Sequence, residues 1–342
     1  MILSTPLQPI EQLSRCSWFP FSDEPVLQGS WYLPKISGPT FLFPEDAPDG
    51  KWHIFVHSWL GIHHYISNSG IVWEPSRLMQ IRGTSPYIFK DKGTYYLVYE
   101  RHGGRIPFVE RRANRHRSAF VTASHVEITS SNDLVVWSDP RTILDSHAIV
   151  QSLDLPEDIV LSSPRIVPID GNYRLYFGAM FVRMQDSKER STRFMYSARA
   201  SDLDGPFVIE SHDALVEGLP NDPWRSLASG NFSVVKGESS YVAIQNGYYW
   251  DRVRRHTASA LVLVASNDGK TWKMVNNNPI LVPAETGWAS KYLRSCDIRY
   301  KSDEACWYCY FSATGITKYG FERESIGLLI GKDPTLRKTL PQ

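Results

Sequence analysis

The residues in this chain that could do chemistry lie where short apolar runs begin and end. Glu100 closes the run TYYLVYE, although strand interiors disfavour Glu. Asp297 sits in SCDIRY, alternates with Arg299 and follows Arg294 closely. Asp222 precedes another apolar run, and Asp251 lies just beyond NGYYW. Carboxylates so placed serve as general acids or bases when their surroundings tune them, and equally they pair with arginine. His57 ends WHIFVH and His63 opens the run that follows. With His53 and His64 they suggest a metal. However, His53 and His57 share a strand face and stand about 13 Å apart along it, too far for one ion. We therefore expect no metal and no cofactor, and read His57 and His63 as ligand-binding donors. Arg82, Arg165, Arg225 and Arg294 precede or begin inner runs. They either converge on an anionic ligand or pair with the acids. Ser85 opens a strand before Pro86, and Trp250 and Trp288 are candidates for contact with a ligand ring.

These residues are positioned by one repeated unit, clearest from Thr84 to Trp137. TSPYIF, a polar turn, TYYLVYER and HVEITSSNDLVVW read as strand, turn, strand, strand, then S-x-D-x-x-x-W. The unit recurs from Ser37, Ser162, Ser229 and Ser295. Five units of three clear strands and a weaker fourth predict an all-β, five-bladed β-propeller over residues 37–342. Residues 1–36 are expected to supply a strand that closes the ring. First strands start on one face, second strands return to it and third strands leave from it. Glu100, His57, His63 and His64 then reach that face. So do Asp186 and Asp251, and the entering loops add Asp154, Glu157, Asp158, Asp222 and Glu285. Insertions at Gly103–Ala123, Phe181–Thr192, Tyr248–Thr257 and Ile316–Glu324 should gather there too. Trp73, Trp137 and Trp272 fall at matching points of three units and read as blade packing.

Composition narrows the class. The chain has 342 residues, 13% aromatic and 21% charged, with a net charge of +1. That balance does not favour nucleic acid. The start lacks a basic segment before a long apolar run, and no stretch is long enough to span a membrane. Cys306 and Cys309 lie in a strand pattern, where residues three apart face opposite sides. With Cys16 and Cys296 they read as free thiols in a reducing, cytoplasmic compartment.

The segments SPYIFKDKGTYYLVYE, SPRIVPIDGNYRLYFGA, SNDLVVWSDP, SDLDGPF and SNDGKTW resemble the blades of the five-bladed propeller glycosidases, among them glycoside hydrolase families 43, 32, 68, 117 and 130. The resemblance covers about residues 37 to 333. It implies an enzyme acting on glycosidic bonds, with a small-molecule or oligosaccharide ligand in a central funnel. The family 43 pattern places carboxylates at the inner-strand openings of blades one, three and four. Here those positions read Gly38–Pro39, Ser163–Pro164 and Ser229–Gly230. Glu100 and Asp297 are then the leading candidates for acid and base, with Asp222 and Asp251 behind them. His57, His63, Ser85, Arg165, Arg294, Trp250 and Trp288 are the expected binding residues. The other reading is a propeller that binds a sugar, or acts on a non-sugar or phosphorylated metabolite.

Overall fold

The computed structural model describes residues 10–79, 81–102, 124–153, 160–188, 190–215, 221–317 and 319–335. After a 3-10 turn at Ile10–Arg15 come β1 (Ser17–Pro20) and β2 (Leu27–Gln28). Blade 1 is β3 (Ser37–Leu42), β4 (Trp52–Ser58), β5 (Gly61–Ser67) and β6 (Glu74–Leu78). Blade 2 is β7 (Thr84–Asp91), β8 (Thr94–His102), β9 (Ser124–Ser131) and β10 (Arg141–Asp145), followed by the short helix α1 (Ser146–Leu153). Blade 3 is β11 (Leu161–Ile169), β12 (Asn172–Arg183), β13 (Arg190–Ala200) and β14 (Val208–Ile209). Blade 4 is β15 (Ala228–Lys236), β16 (Tyr241–Asp251), β17 (His256–Ser266) and β18 (Lys273–Met274). Blade 5 is β19 (Tyr292–Lys301), β20 (Cys306–Ile316) and β21 (Glu322–Lys332), with β1 as its outer strand and β2 also paired to β21. The molecule is a five-bladed β-propeller.

Each blade buries both faces against its neighbours. Phe55 and Leu97 fill the seam between blades 1 and 2, and Val98 and Phe177 the next. Tyr176 and Phe232 follow, then Ile244 and Phe311, and Ile54 and Tyr310 close the circuit. Trp272 packs its ring 4.5 Å from that of Phe232, as blade packing requires. Three of the expected insertions are mainly longer hairpins. β12 runs to Arg183, β16 to Asp251 and β20 to Ile316, because ladder bonds satisfy the backbone there better than a loop would. The Gly103–Ala123 insertion lies outside the described residues.

Every inner strand slips register once near its opening, between Ser37 and Thr40, Thr84 and Tyr87, Ser162 and Arg165, Ser229 and Phe232, and Leu293 and Cys296. In blades 1 to 3 the bulge places Gly38, Ser85 and Ser163 at positive φ, each ahead of a proline. Below it, Thr40, Tyr87, Arg165, Ser233 and Asp297 occupy one level. Three of them stitch their blade to the next. Thr40 Oγ1 accepts the Ile88 N–H at 3.1 Å, Ser233 Oγ accepts the Ile298 N–H at 3.3 Å, and Asp297 Oδ2 accepts the Phe41 N–H at 3.2 Å. Arg165 crosses the centre instead. It donates to the Pro86 carbonyl at 3.2 Å and the Cys296 carbonyl at 3.1 Å, over the Tyr87 ring. Arg299 donates to the Ile88 carbonyl at 2.6 Å and to Asp297 at 3.2 Å. These side chains occupy the middle of the ring.

Removing the Asp297 carboxylate strands the part-buried Arg299 guanidinium and three further donors, the Thr40 and Ser233 hydroxyls and the Phe41 N–H. Asp297→Ala should therefore lower unfolding stability by about 3–5 kcal/mol. Urea denaturation of the two proteins reads this directly, and an unchanged midpoint would show that the carboxylate does not hold the ring.

Candidate functional site

Opposite the bulges, the second strands carry His57, Glu100, Gly178, Asn246 and Ser312. They share strand faces with Phe55, Val98, Tyr176, Ile244 and Tyr310, which pack against the following blade. This upper ring is the wall of the candidate site. His57 Nδ1 accepts the Ser85 N–H at 3.2 Å, which leaves the proton of the neutral ring on Nε2. A Cβ on Gly38 would stand 2.7 Å from that Nδ1, so the glycine makes room for the imidazole. Asn246 donates to the Leu293 carbonyl at 2.8 Å. Ser312 Oγ lies 3.1 Å from Ser37 Oγ and 2.9 Å from Ser295 Oγ. At Gly178 the space is taken by Ser162 and Thr192, whose hydroxyls are 2.6 Å apart. Glu100 is the one carboxylate of the ring, 5% exposed, opposite Thr84 on β7 and Val126 on β9.

The other candidate acids lie elsewhere. β19 starts at Tyr292, so Asp297 lies below the bulge and not at the strand opening. Its oxygens accept from Thr40, Phe41, Ser233 and Arg299. Asp222 holds Arg225 through Nε at 2.9 Å and Nη2 at 2.6 Å, and Arg225 reaches on to Gln245 at 3.1 Å. Asp251 caps the β16–β17 turn, accepting from the Val253 and Arg254 amides, and these bonds hold its pKa below the usual carboxylate value. Asp186 ties blade 3 to blade 4 by accepting the Thr257 N–H at 2.6 Å. Asp154, Glu157 and Asp158 lie outside the described residues.

The binding candidates divide in the same way. His57 and Ser85 meet at the first seam. His63 is buried at the hairpin end, 2.6 Å from Ser58 Oγ, which also accepts the Leu60 N–H. Arg294 donates to Thr314 at 3.0 Å and lies 3.4 Å from Glu324. Arg165 belongs to the floor, and Arg82 is exposed, so the four arginines do not converge. Trp250 is exposed at the tip of blade 4. Trp288 packs 5.6 Å from Phe311 and donates its indole N–H to the Asp23 carbonyl at 2.9 Å. The histidine cluster is a relay within the seam. His53 lies 2.8 Å from Asp49 and 2.8 Å from His64, whose ring stacks on Phe55. Among the described residues no group of three metal-ligating side chains stands together, and no helix is long and apolar enough to cross a membrane.

One acid escaped the sequence reading. Glu324, buried at the start of β21, is turned towards blade 1 beside Arg294. It meets the rule that third-strand starts reach the site face, but FERES reads as a polar loop.

The fold defined by these blades is known from enzymes that act on sugars. The chain is similar to an N-acetylgalactosamine deacetylase from F. plautii, solved with blood group B trisaccharide, at 14% identity and TM-score 0.63 over 92% of this chain and 95% of that one. It is similar to the family 117 glycoside hydrolase Zg3597 of Zobellia galactanivorans, at 12% identity and TM-score 0.57, over 94% and 92%. A thermostable family-43 glycoside hydrolase aligns at 13% identity and TM-score 0.55, over 90% and 95%. The likeness is one of fold. No family model matches the sequence, and no curated protein does.

Burial lowers the His63 pKa, so the folded state favours the neutral ring. Its contribution to stability is present above the unfolded value of about 6.5 and is lost as pH falls below it. Denaturation at about pH 7 and about pH 5 should show a smaller acid-induced loss for His63→Gln than for the natural chain. Equal losses would remove His63 as the cause.

Proposed function

We propose that this propeller is a carbohydrate-active enzyme that hydrolyses or transfers a glycosidic bond at the end of a sugar ligand held on the upper ring. The observation that carries this reading is Glu100, the single carboxylate of a ring otherwise built from imidazole, amide, hydroxyl and glycine. A buried carboxyl at a strand end, supported by ladder bonds on both sides, can deliver a proton to a leaving oxygen and take one back. Glycoside hydrolysis usually needs a second carboxylate as base or nucleophile. Asp297, Asp222 and Asp251 are occupied by the ring floor, by Arg225 and by a turn. We assign the second role to Glu324, which is itself paired with Arg294 but stands near the start of β21 on the site face, where blade 5 meets the strand leading into blade 1. His57 supplies a hydrogen bond to a sugar hydroxyl.

The second reading is a propeller that binds a sugar without cleaving it. It is favoured by the absence of carboxylates at the inner-strand bulge positions Gly38, Ser85, Ser163, Asn231 and Ser295. Incubating the protein with a panel of neutral and anionic glycosides and following the mixture by NMR separates the two. Released sugar establishes the enzyme, and the anomer formed first gives its stereochemistry. Perturbed ligand signals without release establish the binding protein.

If the enzyme reading holds, Glu100→Gln should cut kcat by roughly 10²–10⁴-fold while leaving the melting curve in place. His57→Ala should raise KM about tenfold, the effect of one lost hydrogen bond. Full turnover by Glu100→Gln would remove the acid–base assignment.

A further inference from the structure

Three turns on the funnel face carry aromatic residues where turns ordinarily carry Gly, Asn, Asp or Pro. Trp31 and Tyr32 are the central residues of a turn closed by the Leu33 N–H to the Ser30 carbonyl at 3.1 Å, and their rings meet edge-on at 5.6 Å. Trp59 and Leu60 form the two-residue β4–β5 turn, since Ser58 pairs with Gly61. Tyr319 lies in a turn closed by the Gly320 N–H to the Thr317 carbonyl at 2.8 Å, and Phe321 follows it. Trp31 is 83% exposed, Tyr319 74%, Phe321 70%, Tyr32 58% and Trp59 54%. Local hydrogen bonds fix all three turns, so the rings are presented on a defined backbone.

Their placement gives them a direction. The Trp31 turn leads through the Lys35–Glu324 bridge into β3 and Gly38. Trp59 follows His57, and Phe321 precedes Glu324. The Trp31 and Tyr319 turns flank the seam between blades 5 and 1, joined by the Lys35–Glu324 bridge and the Lys35–Glu322 pair, and the Trp59 turn stands at the end of the β4–β5 hairpin of blade 1. We infer that this seam carries a shelf for further sugar rings of a polysaccharide whose end lies in the funnel. The inference rests on the carbohydrate reading above and makes the ligand a polymer.

The chemistry favours that occupant. A pyranose or furanose offers an apolar C–H face edged by hydroxyls. It suits flat aromatic rings set among polar groups, here Lys35 and Lys291, both paired with Glu322. Those paired charges and a chain net charge of +1 give a membrane surface little to attract it.

The test is native electrophoresis of the full chain in gels cast with soluble arabinan, xylan, galactan or dextran. At least one polymer should retard the protein. Trp31→Ala/Trp59→Ala, and independently Tyr319→Ala/Phe321→Ala, should each weaken that retardation about tenfold, while Trp59→Phe keeps it. The inference is overturned by equal retardation of the variants or by no retardation in any gel. It is also overturned if sedimentation velocity shows a dimer that the substitutions dissociate, since a second copy would then be the occupant. Cleavage of small glycosides without polymer binding sinks the shelf and leaves the site. Polymer binding through the shelf without turnover keeps the shelf and removes the catalytic reading.

Discussion

The structure depends on one repeated contact: a side-chain oxygen on an inner strand accepts a backbone N–H from the inner strand of the next blade. Thr40, Ser233 and Asp297 each do this one level below the bulges. The inner strand of a blade has a free ladder edge facing the axis, and unpaired backbone donors there are costly away from water. The stitch satisfies them without closing a barrel. Where it is missing, in blades 2 and 3, Arg165 and Arg299 satisfy carbonyls instead. Asp297 differs from Thr40 and Ser233 in charge but does the same structural work, and Arg299 balances it.

That economy shapes the site. Polar groups near the axis are drawn into seams, and His57, Asn246 and Ser312 each contact the following blade. A group that both holds a seam and meets a ligand is pre-organised, because its rotamer is set before anything binds. The cost falls on versatility: Asp297, Asp222 and Asp251 are committed to the floor, to Arg225 and to a turn, and Glu100 is the single carboxylate of the upper ring.

Much of this was legible in the residues. The blade grammar has a physical basis in the S-x-D turn. Ser266 Oγ accepts the Gly269 N–H at 2.9 Å and Asp268 accepts two further amides, which aims Trp272 into the seam. Ser131 and Asp133 repeat the arrangement in blade 2. A turn written into local sequence survives reading without coordinates. The level of a residue along its strand does not. Asp297 seemed to open β19 because SCDIRY looks like a strand start, whereas the strand begins with Tyr292 and bulges at Arg294 and Ser295. Glu324 was hidden for a related reason, since the ladder extends past the point where apolar alternation fades. The pairing of Asp222 with Arg225, three residues apart, needed a backbone bend that no period announces.

The outer strand of blade 5 comes from the other end of the chain, with Ser17 set against Lys332. The ring is therefore latched by a contact spanning nearly the whole described sequence, and its closing entropy is among the largest that a chain of this length can meet. During synthesis β1 is made before the blades and waits for β21, the last of the described strands to emerge. Blade 5 has its outer edge covered only once this latch engages. The fifth then gains its edge protection in the same step that makes the molecule circular, so assembly and protection against edge-to-edge aggregation become a single event.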